Sequence, residues 1–347
     1  MDDMNVKAMT TAGLLAVIMV FLGVLGYVSP LFALIGYFVF PVPMIIVFLK
    51  FGAKWAALFA LAAGLLLALF ISPLFALIMF LSFGIMGTAI GCGLRRQWPL
   101  GRLIALAAGA LLVLTVLLSL LTYAVNGVNV IAVTTDAWRQ TFDLALASYS
   151  SRGLSPEEAL ALQEQVDAIK ETSAVLLPAA AVVSMFILAY VYIKAAVIIL
   201  QRLHLPVRPL LPIRYWEIPR IMVYLYVLAQ VMRYWGSTRS VEWLNLTGVG
   251  LSLVSFFFIS IEGIAFFLFL AERKFHLKST GQGMILAAYC LFLPLLQNAA
   301  FIGGIVEMLL QYRKKHGGLC PRGADACLKN YWAVHLKGII CLSFPFS

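Results

Sequence analysis

Residues 40–96 constrain the fold of this chain more than any other stretch. They contain two long apolar runs, 54–71 and 74–94, joined by the uncharged turn Ser72-Pro73. An apolar helix of about 20 residues, rising 1.5 Å per residue, crosses a bilayer core of about 30 Å. Lysines precede this pair of runs and arginines follow it, and basic residues favour the cytosolic side. We therefore predict a membrane hairpin with both ends in the cytosol.

The composition extends this prediction to the whole chain. Of the 347 residues, 63% are hydrophobic and only 12% are charged, whereas a soluble domain carries about 25% charged residues. The net charge of +10 would suggest nucleic acid in a soluble protein. Here the Lys and Arg residues fall in short loops between apolar runs, so they are explained as topology signals. We expect the lipid bilayer, and no nucleic acid, as partner.

Further apolar runs predict an all-α, polytopic transmembrane bundle of eight or nine spans. The N-terminus carries two acids and one base and no small-residue cleavage site follows, so we expect a retained first span. Because most Lys and Arg residues of the short loops then fall on the cytosolic side, we expect a cytoplasmic N-terminus in the plasma membrane. The expected regions are a six-span bundle at 1–200 with a polar outer loop at 126–172, a basic, Pro-rich interfacial segment at 201–220, additional spans at 221–316 and an atypical tail at 317–347.

Two features of the first spans leave alternatives open. Ala8, Ala12 and Ala16 share one helix face. Such a small-residue strip lets helices approach closely in lipid, either within the chain or against another subunit. Pro41 and Pro43 interrupt the second run, and this break predicts either a tolerated kink or the lining of a polar cavity.

The outer loop and the basic segment also have two interpretations each. Ser155 and Pro156 indicate a helix start in the loop, and the helix is either a lid or a plain connector. Arg208, Arg214, Trp216 and Arg220 mark the segment at 201–220. This segment is either an interfacial topology anchor or a surface for a cytosolic partner.

Ionisable residues within spans are the main functional candidates, because burying them in lipid is costly. Lys194 and Glu262 fall at similar predicted depth, where a buried pair would satisfy both charges. Alternatively, Lys194 snorkels to the interface. A polar patch around Glu262 would use neighbouring amides and one more acid, although the amides are also explained by hydrogen bonds between helices: Gln230, Gln297, Asn298 and Glu307. The last apolar run, 281–310, conflicts with the preference of basic residues for the cytosolic side. A simple span there would put Arg313 and the lysines after it outside. A break in the helix at 294–298 would instead return the chain to the cytosolic side.

No catalytic motif is present. The sequence has no HExxH, GxSxG, P-loop or GxGD pattern, and the spacing of Cys320 and Cys327 matches no zinc site. We therefore expect no enzyme activity, no metal and no cofactor. Without a nucleotide-binding motif, any energised activity must borrow a partner or an ion gradient.

Residues 8–200 resemble the substrate-binding S components of energy-coupling-factor transporters, through the alanine strip, the FPVPMIIVFLKFGAKWAALFALAAGLL hairpin region and the glycine-rich span ending GLRR. Residues 5–316 as a whole resemble the YybS-like predicted membrane proteins of Gram-positive bacteria. The first resemblance implies that Ala8, Ala12 and Ala16 face a coupling subunit, which works with two ATPases.

Two functions follow from these observations. The first is a small-molecule transporter subunit, S-component-like and without its own ATPase. The alternative is a non-transporting scaffold that recruits partners through its basic cytosolic loop. Transport predicts a polar, solvent-reachable cavity between spans, whereas a scaffold predicts a dry bundle and an ordered cytosolic surface.

Overall fold

The computed structural model describes residues 2–150, 156–205, 207–275 and 293–315. Within these ranges the chain forms twelve α-helices and no β-strand, which confirms the all-α class. The chain divides between Leu210 and Leu211 into two compact units, here unit 1 and unit 2. The division falls inside the predicted 201–220 segment. The predicted tail at 317–347, with its cysteines, and the predicted cap Ser155 lie outside the described residues.

The described part of unit 1 contains eight helices. They are α1 (Asp2–Val28), α2 (Pro30–Val39), α3 (Pro41–Phe51), α4 (Ala53–Phe70), α5 (Pro73–Arg95), α6 (Leu100–Asn126), α7 (Val130–Ser150) and α8 (Pro156–Arg202). The predicted hairpin is α4–α5. Its turn is set locally, because Pro73 takes the first position of α5 and the Ser72 side chain accepts a hydrogen bond from the Phe75 N–H at 3.2 Å.

The proline pair produces a kink. Phe40, between α2 and α3, keeps helical dihedral angles, and its N–H donates to the Gly36 carbonyl at 2.7 Å. Every residue from Pro41 to Phe48 is buried. The small hollow beside Met44 is lined by apolar residues and has no room for a water molecule. Of the two alternatives, the kink describes this part of the structure.

The alanine strip of α1 is covered by the chain itself. Ala8, Ala12 and Ala16 are at most 9% exposed, and Ala12 and Ala16 belong to an apolar cluster with residues of α3 and α4. The face of α1 that stays open carries Met9 and Val17 instead. The strip is therefore packed within the chain, and its docking to a coupling subunit stays a prediction.

The polar outer loop forms a helical hairpin with the sixth span. The helix that begins at Pro156 does not end before the span, so α8 runs for 47 residues, about 70 Å at 1.5 Å per residue. Lys170 on α8 binds Asp143 on α7, with 2.6 Å between Nζ and Oδ1, and lies 3.4 Å from Asp167. The predicted outer helix and sixth span are thus a single element.

Unit 2 begins with a 3-10 turn (Ile213–Tyr215). Its helices within the described ranges are α9 (Ile221–Thr238), α10 (Glu242–Phe275), α11 (Leu293–Leu310) and α12 (Tyr312–Lys315). α9 and α10 form an antiparallel pair, in which Gly236 lies against the Asn245 backbone and Gly248 against the Ala229 carbonyl.

α10 and α11 run in the same direction. Phe256 stacks on Phe301 with 4.6 Å between ring centroids, and further along both helices Phe266 meets Tyr312 at 6.0 Å. The basic ends of α10 and of α11–α12 therefore lie at the same end of unit 2. This arrangement removes the conflict over Arg313, because it shares a side with the bases that end α10. The connecting residues lie outside the described ranges.

Six helices of the described ranges are long and apolar enough to cross a membrane. They are Val6–Val28, Ala53–Phe70, Pro73–Arg95, Leu100–Asn126, Leu176–Arg202 and Glu242–Lys274. Pro41–Phe51 and Leu296–Leu310 are apolar but shorter. The protein is therefore a membrane protein with several spans, and the total of eight or nine stays a prediction.

Candidate functional site

The 211–218 stretch lies along the C-terminal part of α10. At one end, Arg214 Nη1 lies 2.5 Å from Glu272 Oε1. At the other end, the Ile218 N–H donates to Glu262 Oε2 at 2.9 Å. From Glu262, α10 continues to Phe275, which is about 20 Å of helix. The stretch covers this extension.

Glu262 belongs to a buried ion cluster with Glu307 and Arg313. The three residues are 4%, 3% and 0% exposed. The Arg313 guanidinium donates from Nη2 to Glu262 Oε1, and from Nε to Glu307 Oε1 at 3.1 Å. Each carboxylate comes from a different helix, so one guanidinium ties α10 to α11.

Arg313 also holds the covering stretch. Its Nη1 donates to the carbonyl oxygens of Arg214 at 2.9 Å and Trp216 at 3.0 Å. The chain can reach this position because Gln311 has a positive φ of 50°, which ends α11 and turns the next residues back. The Arg313 N–H then donates to Glu307 Oε1 at 3.1 Å.

The chemistry of the cluster suits arginine. A buried ion is tolerated only when it is paired and its remaining hydrogen-bonding groups are satisfied. The planar guanidinium presents five donors in a fixed fork, whereas a lysine ammonium offers three from one point. One residue can therefore bind two carboxylates and two carbonyl groups together. The cluster works as a structural clamp on the stretch that covers α10.

A hollow of about 50 Å³ borders the cluster. Its lining combines buried and surface residues: Glu217, Ile218, Arg220, Glu262, Glu307, Met308, Gln311 and Lys314. At its rim, Lys314 Nζ lies 3.7 Å from Glu217 Oε2, and both side chains are half-exposed. The hollow can hold a small number of water molecules. Within the described ranges, no three His, Cys, Asp or Glu residues group as metal ligands.

The structure distributes the other predicted site residues widely. Lys194 lies in unit 1 with an exposed side chain, its Nζ 5.9 Å from the centre of the Tyr190 ring. Glu262 receives Arg313 as its partner in place of Lys194. Gln230 on α9 accepts a long, 3.4 Å contact from Arg233.

The amides of α11 are also distant from the cluster. Gln297 and Asn298 precede Glu307 by about 15 Å of helix, and neither residue lines the hollow. The predicted polar patch therefore contributes Glu262 and Glu307 to the cluster, and the amides lie elsewhere.

The predicted partner surface is divided in the same way. Arg208 lies in unit 1, exposed, beside the buried Val207. Arg214 stacks over the Tyr215 ring at 4.7 Å, and the Trp216 indole N–H donates to the Leu211 carbonyl at 3.2 Å. Both side chains are thus engaged inside unit 2. Arg220 is exposed at the start of α9.

Arg313 is the functional candidate that sequence reasoning missed. Its position among three basic residues at 313–315 led to an interpretation as a topology signal only. A usable signal was present in the six-residue spacing from Glu307, because a helix end between an acid and a base lets the two side chains meet.

Fold and site together define a class of protein. It is a polytopic α-helical membrane protein in which one of two units carries a buried ion cluster beneath a surface stretch. The chain belongs to the family described as "predicted membrane protein (DUF2232)", and the match covers residues 16–308. No curated protein and no solved structure matches it. The matched range includes Glu262 and Glu307 and ends before Arg313.

Proposed function

We propose that the protein is a non-catalytic, multi-spanning scaffold of the plasma membrane. In this proposal, the surface made by residues 211–220 and α12 faces the cytosol and recruits a protein partner. One observation carries it: Arg313, fully buried, uses its side chain to hold two backbone carbonyls of the 211–220 segment. A mere topology anchor needs positive charge only and has no need of this fixation.

An ordered surface is of use for binding. Immobilising a flexible side chain or loop on binding costs about 0.5–1.5 kcal/mol per side chain. A segment that is already fixed avoids much of this cost. Glu217, Pro219 and Arg220 are exposed on the segment, and Lys314 and Lys315 follow on α12. This surface offers both signs of charge, which suits a polar interface rim.

The sizes of two hollows within the described ranges favour the scaffold over the transporter subunit. Pockets for small molecules measure about 300–1,000 Å³, whereas the hollow beside the cluster has about 50 Å³. The hollow beside Met44 in unit 1 has no room for water. In addition, the alanine strip that would face a coupling subunit is covered by the chain's own helices.

The test is site-specific photo-crosslinking in native membranes. A photoreactive residue replaces Arg220 on the segment or, as the control, Arg239 at the opposite end of α9. We expect discrete protein adducts from position 220 only, and their loss when Arg313→Met releases the segment. Lipid adducts alone at position 220, or the same adducts from both positions, would contradict the proposal.

A second arm tests the rival function directly. The full chain is co-expressed and co-purified with a coupling subunit and two ATPases of the energy-coupling-factor type. The scaffold proposal predicts no stable complex. A stoichiometric complex that survives purification would favour the transporter subunit instead.

A further inference from the structure

We propose that the ion cluster is a proton-binding site, in which Glu262 and Glu307 share one proton at neutral pH. The proton comes from water through the adjoining hollow. This inference does not depend on the scaffold proposal, because it concerns the interior of unit 2 and not its partners.

The charges of the cluster carry the first step. Two carboxylates share one guanidinium, so the fully ionised cluster has a net charge of −1. All three residues are at most 4% exposed. An uncompensated charge that is withdrawn from water is costly, and the usual outcome is neutralisation. One bound proton makes the cluster neutral and keeps both contacts of the guanidinium.

The hydrogen bonds indicate where the proton is needed. Both oxygens of Glu262 have donors, from Ile218 and Arg313. On Glu307, Oε1 accepts two bonds of 3.1 Å from Arg313, whereas Oε2 accepts a longer one of 3.4 Å from the Arg313 N–H. Ordinary N–H···O bonds measure about 2.7–3.2 Å. Among the residues that the structure describes, Oε2 of this buried carboxyl therefore has no donor at normal distance.

The hollow supplies a path to that atom. Glu307 and Glu262 both line it, and it is large enough for water. Its other charged residues are Glu217, Arg220 and Lys314, all exposed to solvent. Their net charge is +1, but water and salt screen exposed charges strongly. Their attraction for the buried carboxylate is too weak to compensate for its negative charge when no proton is bound.

Infrared spectroscopy of the full-length protein in lipid nanodiscs tests the site. A protonated carboxylic acid has a C=O stretch that is separate from carboxylate and amide bands. We expect about one such group per chain at pH 7, in potassium and in sodium buffers alike. Absence of the band at pH 7 would overturn the proposal. Loss of the band in sodium would also overturn it, because a metal cation would then supply the charge.

Three isosteric variants assign the band. Glu307→Gln and Glu262→Gln each leave one carboxylate with Arg313, so the cluster is neutral without a proton and the band should disappear. Glu217→Gln, at the rim of the same hollow, should keep it. A band that persists in both buried variants would contradict the assignment to this cluster. Even if a variant fails to fold, the wild-type spectrum tests whether a protonated carboxyl group is present at pH 7.

Discussion

Unit 1 and unit 2 hold together by different means. In unit 1, α1, α3, α4 and α5 pack through small and apolar side chains, such as Ala56, Ala60 and Leu67, all at most 7% exposed. In unit 2, helices meet at glycines and are tied by a guanidinium between two acids. Dispersion contacts between apolar side chains are non-directional, whereas an ion cluster fixes specific atoms. The difference indicates that unit 2 needs one defined surface, while unit 1 needs only close packing.

Removal of the guanidinium should have the largest effect. Arg313→Met leaves two buried carboxylates without their base and frees two backbone carbonyls. We expect unit 2 to lose about 3–5 kcal/mol of stability. Rapid proteolysis within residues 211–220 of the protein in nanodiscs would report it. Lys315→Met, on the exposed neighbour, is the control and should change little. Equal behaviour of the two variants would remove the proposed difference between the units.

A cavity in unit 1 should lower its stability nearly as much as Arg313→Met lowers the stability of unit 2. Leu67→Ala removes a side chain that is 0% exposed, and such changes cost about 2–5 kcal/mol. Leu69→Ala, at a position 82% exposed, should cost less than about 0.5 kcal/mol. Thermal unfolding of both variants in the same detergent gives the comparison. We expect proteolysis of the 211–220 segment to stay unchanged in Leu67→Ala, and faster cleavage there would argue against separate stabilisation.

The glycine contacts between α10 and α11 allow a test with a smaller expected loss of stability. A Cβ on Gly263 would collide with the backbone carbonyl of Ala300, so Gly263→Ala must push α10 and α11 apart. We expect a loss of about 1–3 kcal/mol, typical of overpacking. Gly109→Ala on α6, where a Cβ meets nothing within 4 Å, should be neutral in the same thermal assay. If both substitutions are tolerated, the close α10–α11 contact is not essential.

The smallest effect concerns the exposed Lys170–Asp143 pair. The hydrogen bond to Asp143 raises the pKa of Lys170 above 10.5. A group with a raised pKa in the folded state stabilises below the unfolded value and loses that contribution as pH rises through the folded value. The spin-label distance between α7 and α8 should therefore be constant from about pH 7 to 9 and increase above about pH 10.5. Asp143→Asn should loosen the hairpin at neutral pH, and Asp167→Asn should do so less.

Local signals explain what could be predicted from the sequence. The α4–α5 hairpin, the break at Pro41 and the start of α8 at Pro156 follow from apolar length, proline geometry and capping residues. The sequence analysis divided α8 into an outer helix and a span, because the residues change from polar to apolar. A helix can continue through such a change without a boundary. The alanine strip left two alternatives, since small residues look the same whether the chain or a subunit covers them.

The ion cluster could be predicted only in part. Because burying a charge in the membrane is costly, Glu262 and Glu307 could be selected as candidates from the sequence. Their ion-pair partner depends on the tertiary structure and could not be selected in this way. Lys194 matched Glu262 in estimated depth and belongs to the other unit. Arg313 became available only because α10 and α11 run in the same direction, and no local pattern shows this.

The distances along the chain within the cluster set an order of events during synthesis. Arg313 follows the carbonyl of Arg214 by 99 residues and Glu262 by 51. Ribosomes add about 5–20 residues per second, so a gap of 99 residues takes roughly 5–20 seconds to translate. Throughout this interval the surface stretch and the first acid are already made, while their common base is not. Unit 2 therefore acquires its final surface late, as one of the last steps of its own biogenesis.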